Sequence, residues 1–122
     1  MAIHTDLPIY RTGVQLLQLA VKVQEQMPRS VKRSLGDKVF QHCTEMLDRM
    51  ALANATQRSE RAGHIQALMT HLRAVEVLLR VSHDSRYVSH ALWAQSVSLL
   101  GSIGRQGGGW LKSAASNKAP AA

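Results

Sequence analysis

Residues 65–79 read I-Q-A-L-M-T-H-L-R-A-V-E-V-L-L, and Ile65, Leu68, Leu72, Val75 and Leu79 step along them by three, four, three and four. In a helix this spacing aligns side chains on one face, and the alternation is the seam of near-parallel, left-handed helix packing. Met69, Val77 and Leu78 lie off the seam and widen the apolar surface. A helix of this kind touches neighbours on two sides, which predicts a bundle.

Upstream, Thr56 to Ser59 is a polar break, with Ser59 expected as N-cap and Glu60 favouring the helix dipole. A second helix is predicted from Arg29-Ser30 to about Asn54, with Val31, Leu35, Val39, Phe40, Cys43, Met46, Leu47 and Met50 at helical spacing. Gly36 weakens it locally, so Ser34 to Asp37 is expected to be irregular. Pro28 stops the first helix, which opens at Leu7-Pro8 and runs to about Met27, with Val14, Leu17, Val21 and Val23 or Gln24 turning past the core.

Downstream, Ser82 to Tyr87 is a short turn, and a fourth helix follows to about Lys112. It carries two apolar stripes, Val88, Leu92, Leu99 and Ile103, and Trp93, Val97, Leu100 and Gly104. A lone bundle needs one stripe per helix, so Trp93, Val97, Leu100, Gly104 and Trp110 are a candidate subunit interface, although the residues by themselves favour a wider core. The competing reading is that Trp93 and Leu100 only widen the core. Residues 113–122 lack apolar periodicity and are expected to form a disordered tail. With short connections, the whole predicts an all-α, up-down antiparallel four-helix bundle over residues 1–112.

Composition agrees. A chain of 122 residues is one domain, and 45% hydrophobic residues with only 4% aromatics call for a core of Leu, Val, Ile, Met and Ala. The lone Cys43 excludes an internal disulfide and any zinc site built on cysteines, and fits a reducing cytoplasm. Residues 1–7 contain Asp6 and no apolar signal region, and no stretch reaches the roughly 18 apolar residues of a membrane span, so a cytoplasmic protein without membrane attachment is expected.

Catalytic chemistry finds little support. The Gly107 to Gly109 run follows a helix and lacks the Lys-Ser/Thr of a phosphate-cradling loop. His42 adjoins Cys43, but adjacent helical residues point about 100° apart, so they form no dyad and Cys43 is expected in the core. His64 with His71, and His83 with His90, fall seven apart, whereas helical metal ligands usually sit three or four apart. Glu76, five residues from His71, is the nearest carboxylate in sequence. No catalytic residue, metal or cofactor is expected, and a small metalloenzyme using His64 and His71 is the weakest alternative.

Charge is more informative. Fifteen Lys and Arg face eight Asp and Glu, a net +7, with an excess of two in 28–57, two in 58–82 and three in 83–122. Arg11, Lys22, Arg29, Lys32, Arg33, Lys38, Arg73, Arg80 and Arg86 are the candidate phosphate contacts. Cations of this kind neutralise phosphates without reading bases, and stacking aromatics are few, so backbone and shape would be recognised. The bland alternative is solvated helix decoration, with Arg73 paired to Glu76.

The ending V-S-L-L-G-S-I-G-R-Q-G-G-G-W-L-K, residues 97–112, adds a resemblance. Its Ile103-Gly104-Arg105 and Gly108-Gly109-Trp110-Leu111-Lys112, together with Leu78-Leu79-Arg80-Val81 and Ser34-Leu35-Gly36, resemble the accessory variability determinant proteins of diversity-generating retroelements. The likeness spans roughly Leu7 to Lys112. Gly107 stands where that family usually carries a large apolar residue, which predicts a looser last turn.

The resemblance implies a barrel-like homopentamer of four-helix bundles. It also implies binding to a reverse transcriptase and to structured RNA, DNA or an RNA/DNA hybrid, in support of mutagenic copying. The alternative is an oligomeric four-helix scaffold or adaptor with no nucleic-acid partner.

Overall fold

Pro8 occupies the first turn of α1 (Pro8–Gln26), where its missing N–H would be unpaired in any case. The helix ends as expected: Met27, preceding Pro28, is extended at φ −67° and ψ 144°. In the computed structural model, which describes residues 3–118, α2 (Asp37–Ala55), α3 (Arg58–Asp84) and α4 (His90–Lys118) follow. One 3-10 turn, His4–Asp6, precedes α1, and no strand occurs among the described residues.

Each helix packs chiefly against the two that flank it, α1 on α2 and α4, α3 on α2 and α4. Cross-links confirm antiparallel order. The Ser89 amide donates to Gln26 Oε1 at 3.0 Å, joining the end of α1 to the approach to α4, while Gln106 Nε2 donates to Thr12 Oγ1 at 3.2 Å near the other end. The α1–α2 and α3–α4 connections therefore share one end of the bundle.

The α3 seam is buried throughout, and Leu16, Met46, Met50, Ile65, Leu68 and Ile103 are enclosed completely. Each large apolar side chain so buried contributes on the order of 1.5–3 kcal/mol.

Phase differs from expectation in α1. Leu16, Leu19, Ala20 and Val23 are buried, whereas Val14 and Leu17 are half-buried and Val21 is exposed. Apolar residues almost encircle this helix, so its spacing alone admits two phases. Gly13 selects one: a Cβ there would stand 2.8 Å from Leu47 Cδ2, so α1 meets α2 edge to edge.

The irregularity before α2 is a single wide π turn, Lys32–Gly36. Gly36 is helical in backbone and buried beneath Gln24, whose Nε2 donates to Lys32 O at 3.1 Å and Asp37 Oδ1 at 2.7 Å. Space for Gln24, more than weak helix propensity, accounts for the glycine. Ser59 is not the N-cap of α3: that place is taken by Gln57, and Arg58 enters the helix at φ 56°.

On α4 the core face is Ser96, Leu100, Ile103, Gly107 and Ala114, with Val88 just before the helix. Leu100 is 5% exposed and belongs to the core, so it is removed from the expected subunit interface. Leu92 and Leu99 are half-buried at its margin. The final turn is not loosened at Gly107. A Cβ there would come within 2.6 Å of Met69 Sδ, and the helix runs on to Lys118. Residues 113–118 are thus helical, contrary to the expected tail, with Ala114 buried; residues 119–122 lie outside the described residues.

Candidate nucleic-acid interface

Because the α1–α2 and α3–α4 connections meet at one end, Lys22, Arg29, Lys32, Arg33, Lys38, Arg80 and Arg86 are brought to that end from two separate stretches of chain, 22–38 and 80–86. Between residues 22 and 38 five cations face only Glu25 and Asp37. Arg73 lies further down α3, where it lines a groove of about 470 Å³ with Lys38 and His42. Arg11 is apart from the rest. It stands fifteen residues from the α1 C-terminus, roughly 22 Å away at 1.5 Å per residue.

All nine are exposed except Lys32, which is half-buried. Among the described residues none lies within 4.0 Å of a carboxylate. The expected Arg73–Glu76 pair does not form, and Arg73 Nη2 instead reaches Thr70 Oγ1 at 3.5 Å. The end thus presents cations whose charge is not neutralised by local pairing.

The α3–α4 turn explains how Arg86 is displayed. Its amide donates to His83 O and the Tyr87 amide donates to Ser82 O, both at 2.9 Å, which satisfies the last carbonyls of α3. This closure requires a left-handed residue, and Arg86 supplies it at φ 64° where glycine is usual. Beside it, the Trp93 ring stacks on His83 with centroids 5.3 Å apart and an 18° interplanar angle, and the Arg80 guanidinium lies 5.9 Å from the Trp93 centroid. His83, Arg86, Tyr87, His90 and Gln26 line a groove of about 600 Å³. His83, His90 and Trp93 were absent from the expected contact residues, although their closeness to Arg80 and Arg86 in sequence was a usable signal.

The remaining interface candidates are distributed differently. Val97 is 48% exposed and, with Gly101 and Gly104, lines a groove of about 280 Å³ between α3 and α4. A Cβ at Gly104 would meet nothing nearer than Leu72 Cδ2 at 3.8 Å. Trp93 and Trp110 are half-buried against the core.

A separate cluster joins α2 to α3. His42 Nδ1 stands 2.9 Å from His71 Nδ1, which lies 3.3 Å from Glu45 Oε2. Burial holds the His71 imidazolium below its ordinary range; Glu45 opposes this and His42 and Arg49 reinforce it. His64, joined with His71 only in the weakest alternative, meets Arg49 Nη1 at 3.1 Å through its Nδ1. Cys43 points the other way, fully buried, and burial pushes its thiol up to about 12.

No helix among the described residues is long and apolar enough to cross a membrane. No curated protein and no solved structure matches the chain in comparisons of sequence and fold. A family model described as bAvd-like does match, over residues 9–114, which covers all four helices up to Ala114 of α4. The chain therefore belongs to the bAvd-like family, the Avd-type accessory proteins of retroelements, a non-catalytic kind of protein.

Proposed function

We propose that this protein serves a diversity-generating retroelement by binding its reverse transcriptase and structured RNA through the cationic end of the bundle, in support of mutagenic reverse transcription. The observation that carries this reading is the convergence of Lys22, Arg29, Lys32, Arg33, Lys38, Arg80 and Arg86 at one end without carboxylate partners. Such a surface attracts a polyanion by releasing its counterions and recognises backbone and shape more than base sequence. DNA and RNA/DNA hybrids present the same phosphates, and the stack of Trp93 on His83 offers an aromatic surface beside them.

The active form in this reading is a homopentamer working in the cytoplasm. Val97 and the groove beside Gly101 and Gly104 offer an apolar flank on which a second copy can approach closely. The test is equilibrium binding of the purified chain to structured RNA across a salt series, with co-purification of the reverse transcriptase encoded beside it. Affinity should fall steeply with salt. Binding indifferent to salt, or none at low salt, would instead leave an oligomeric scaffold without a nucleic-acid partner.

A further inference from the structure

His42 and Glu45 stand three residues apart on α2, on the side that meets α3, and His71 of α3 closes on both. One nitrogen or oxygen from each falls within 4.8 Å of the other two. The separations are 2.9 Å between the two Nδ1 atoms and 3.3 Å from His71 Nδ1 to Glu45 Oε2. Two donors held at about 2.0–2.1 Å by a tetrahedral ion stand roughly 3.3 Å apart, so little movement separates this arrangement from coordination.

Proton counting points the same way. Three lone-pair-bearing atoms converge, yet protons on both Nδ1 atoms would face each other across 2.9 Å. One proton at most is shared among the three. A divalent cation satisfies all of them at once.

Access and charge permit it. All three residues are half-buried, and a groove of about 520 Å³ lined by Glu45, Asp48, Arg49, Leu52 and His71 leaves space for a water ligand. Arg49 opposes a cation, but Asp48 shares the groove and the guanidinium is engaged by His64.

We propose that His42, Glu45 and His71 form a binding site for a divalent transition ion of the Zn²⁺ type, clamping α2 to α3. Two imidazoles and one carboxylate suit Zn²⁺ and its first-row neighbours better than Mg²⁺ or Ca²⁺, which favour all-oxygen sets. The site uses none of the cations assigned to nucleic-acid binding and stands independently of that reading.

The test is titration of the tag-free full chain with Zn²⁺ by calorimetry, and with Co²⁺ as an absorbing probe. One ion per chain is expected, with a visible Co²⁺ band typical of four-coordination and a thermal midpoint raised by Zn²⁺. His71→Ala should abolish binding. Glu45→Gln replaces a carboxylate that is 44% exposed and should keep the helical circular dichroism while weakening the ion roughly tenfold or more and losing most of the midpoint shift. His4→Ala, at a histidine whose ring meets Tyr10 before the first helix, should leave Zn²⁺ binding unchanged. Failure of the unmodified chain to bind either ion, or binding unaltered by Glu45→Gln and His71→Ala, would overturn the proposal.

Discussion

The amide of Tyr87 donates to the carbonyl of Ser82 at 2.9 Å, and the closure holds Arg86 between them at φ 64°. Glycine there would relieve the clash of Cβ with its own backbone. Arg86→Gly should therefore stabilise the bundle by about 0.5–1 kcal/mol while reducing the salt slope of RNA binding by about 1. Urea unfolding and a salt series measure the two. Opposite signs mark an arginine kept for its charge, whereas unchanged binding would make it an ordinary turn residue.

Gly107 and Gly109 should answer substitution in opposite directions. A leucine at 107 must displace Met69, whose Sδ would already press on the first carbon, so Gly107→Leu should cost about 1–3 kcal/mol. Nothing lies within 4 Å of a Cβ at 108 or 109, and Gly108→Ala and Gly109→Ala should each gain about 0.5–1 kcal/mol from helix propensity. Urea midpoints of the three variants decide the matter.

This contrast also shows what could be read before the structure. The α3 seam was legible because its five apolar residues repeat without interruption and polar residues separate them. The core face of α4 was not, because two of its members are invisible to a hydrophobic pattern. Ser96 is buried with its hydroxyl donating to Leu92 O at 2.8 Å, and Gly107 contributes absence of a side chain. Leu100 consequently looked like surplus surface. Of the cationic end, each lysine and arginine is nameable from the sequence while His83, His90 and Trp93 are not, and the convergence follows from helix order and not from spacing. The His42–Glu45–His71 cluster lay deeper still, since His71 is 29 residues from His42 and only helix pairing joins them. The three-residue step from His42 to Glu45 was its one local sign.

Val97 and Leu100 should separate assembly from folding. Val97 is largely exposed, so Val97→Glu should leave the bundle folded and lower the mass seen by light scattering from about five chains, as should Gly104→Glu. Leu100→Ala empties a core position and should cost about 2–5 kcal/mol in any assembly state. A pentamer unchanged by both glutamates would move the interface elsewhere.

Cys43 should behave as an inert core residue. It has no exposure and its thiol is pushed up to about 12, so the reactive thiolate is withheld at pH 8. Reaction with a disulfide reagent should be slow in buffer and fast in urea, at a rate that follows unfolding. Rapid labelling of the folded chain would contradict the buried placement.

The most direct measurement compares charge reversal at the two ends of the bundle. Arg29→Glu, Lys32→Glu and Arg33→Glu together, and Arg11→Glu alone, are each titrated with structured RNA at several salt concentrations. The triple variant should lose about tenfold or more in affinity at low salt and shed about three from the salt slope. Arg11→Glu should stay close to the unmodified chain. Equal losses at both ends, or none at the crowded one, would contradict a nucleic-acid surface at the α1–α2 and α3–α4 connections.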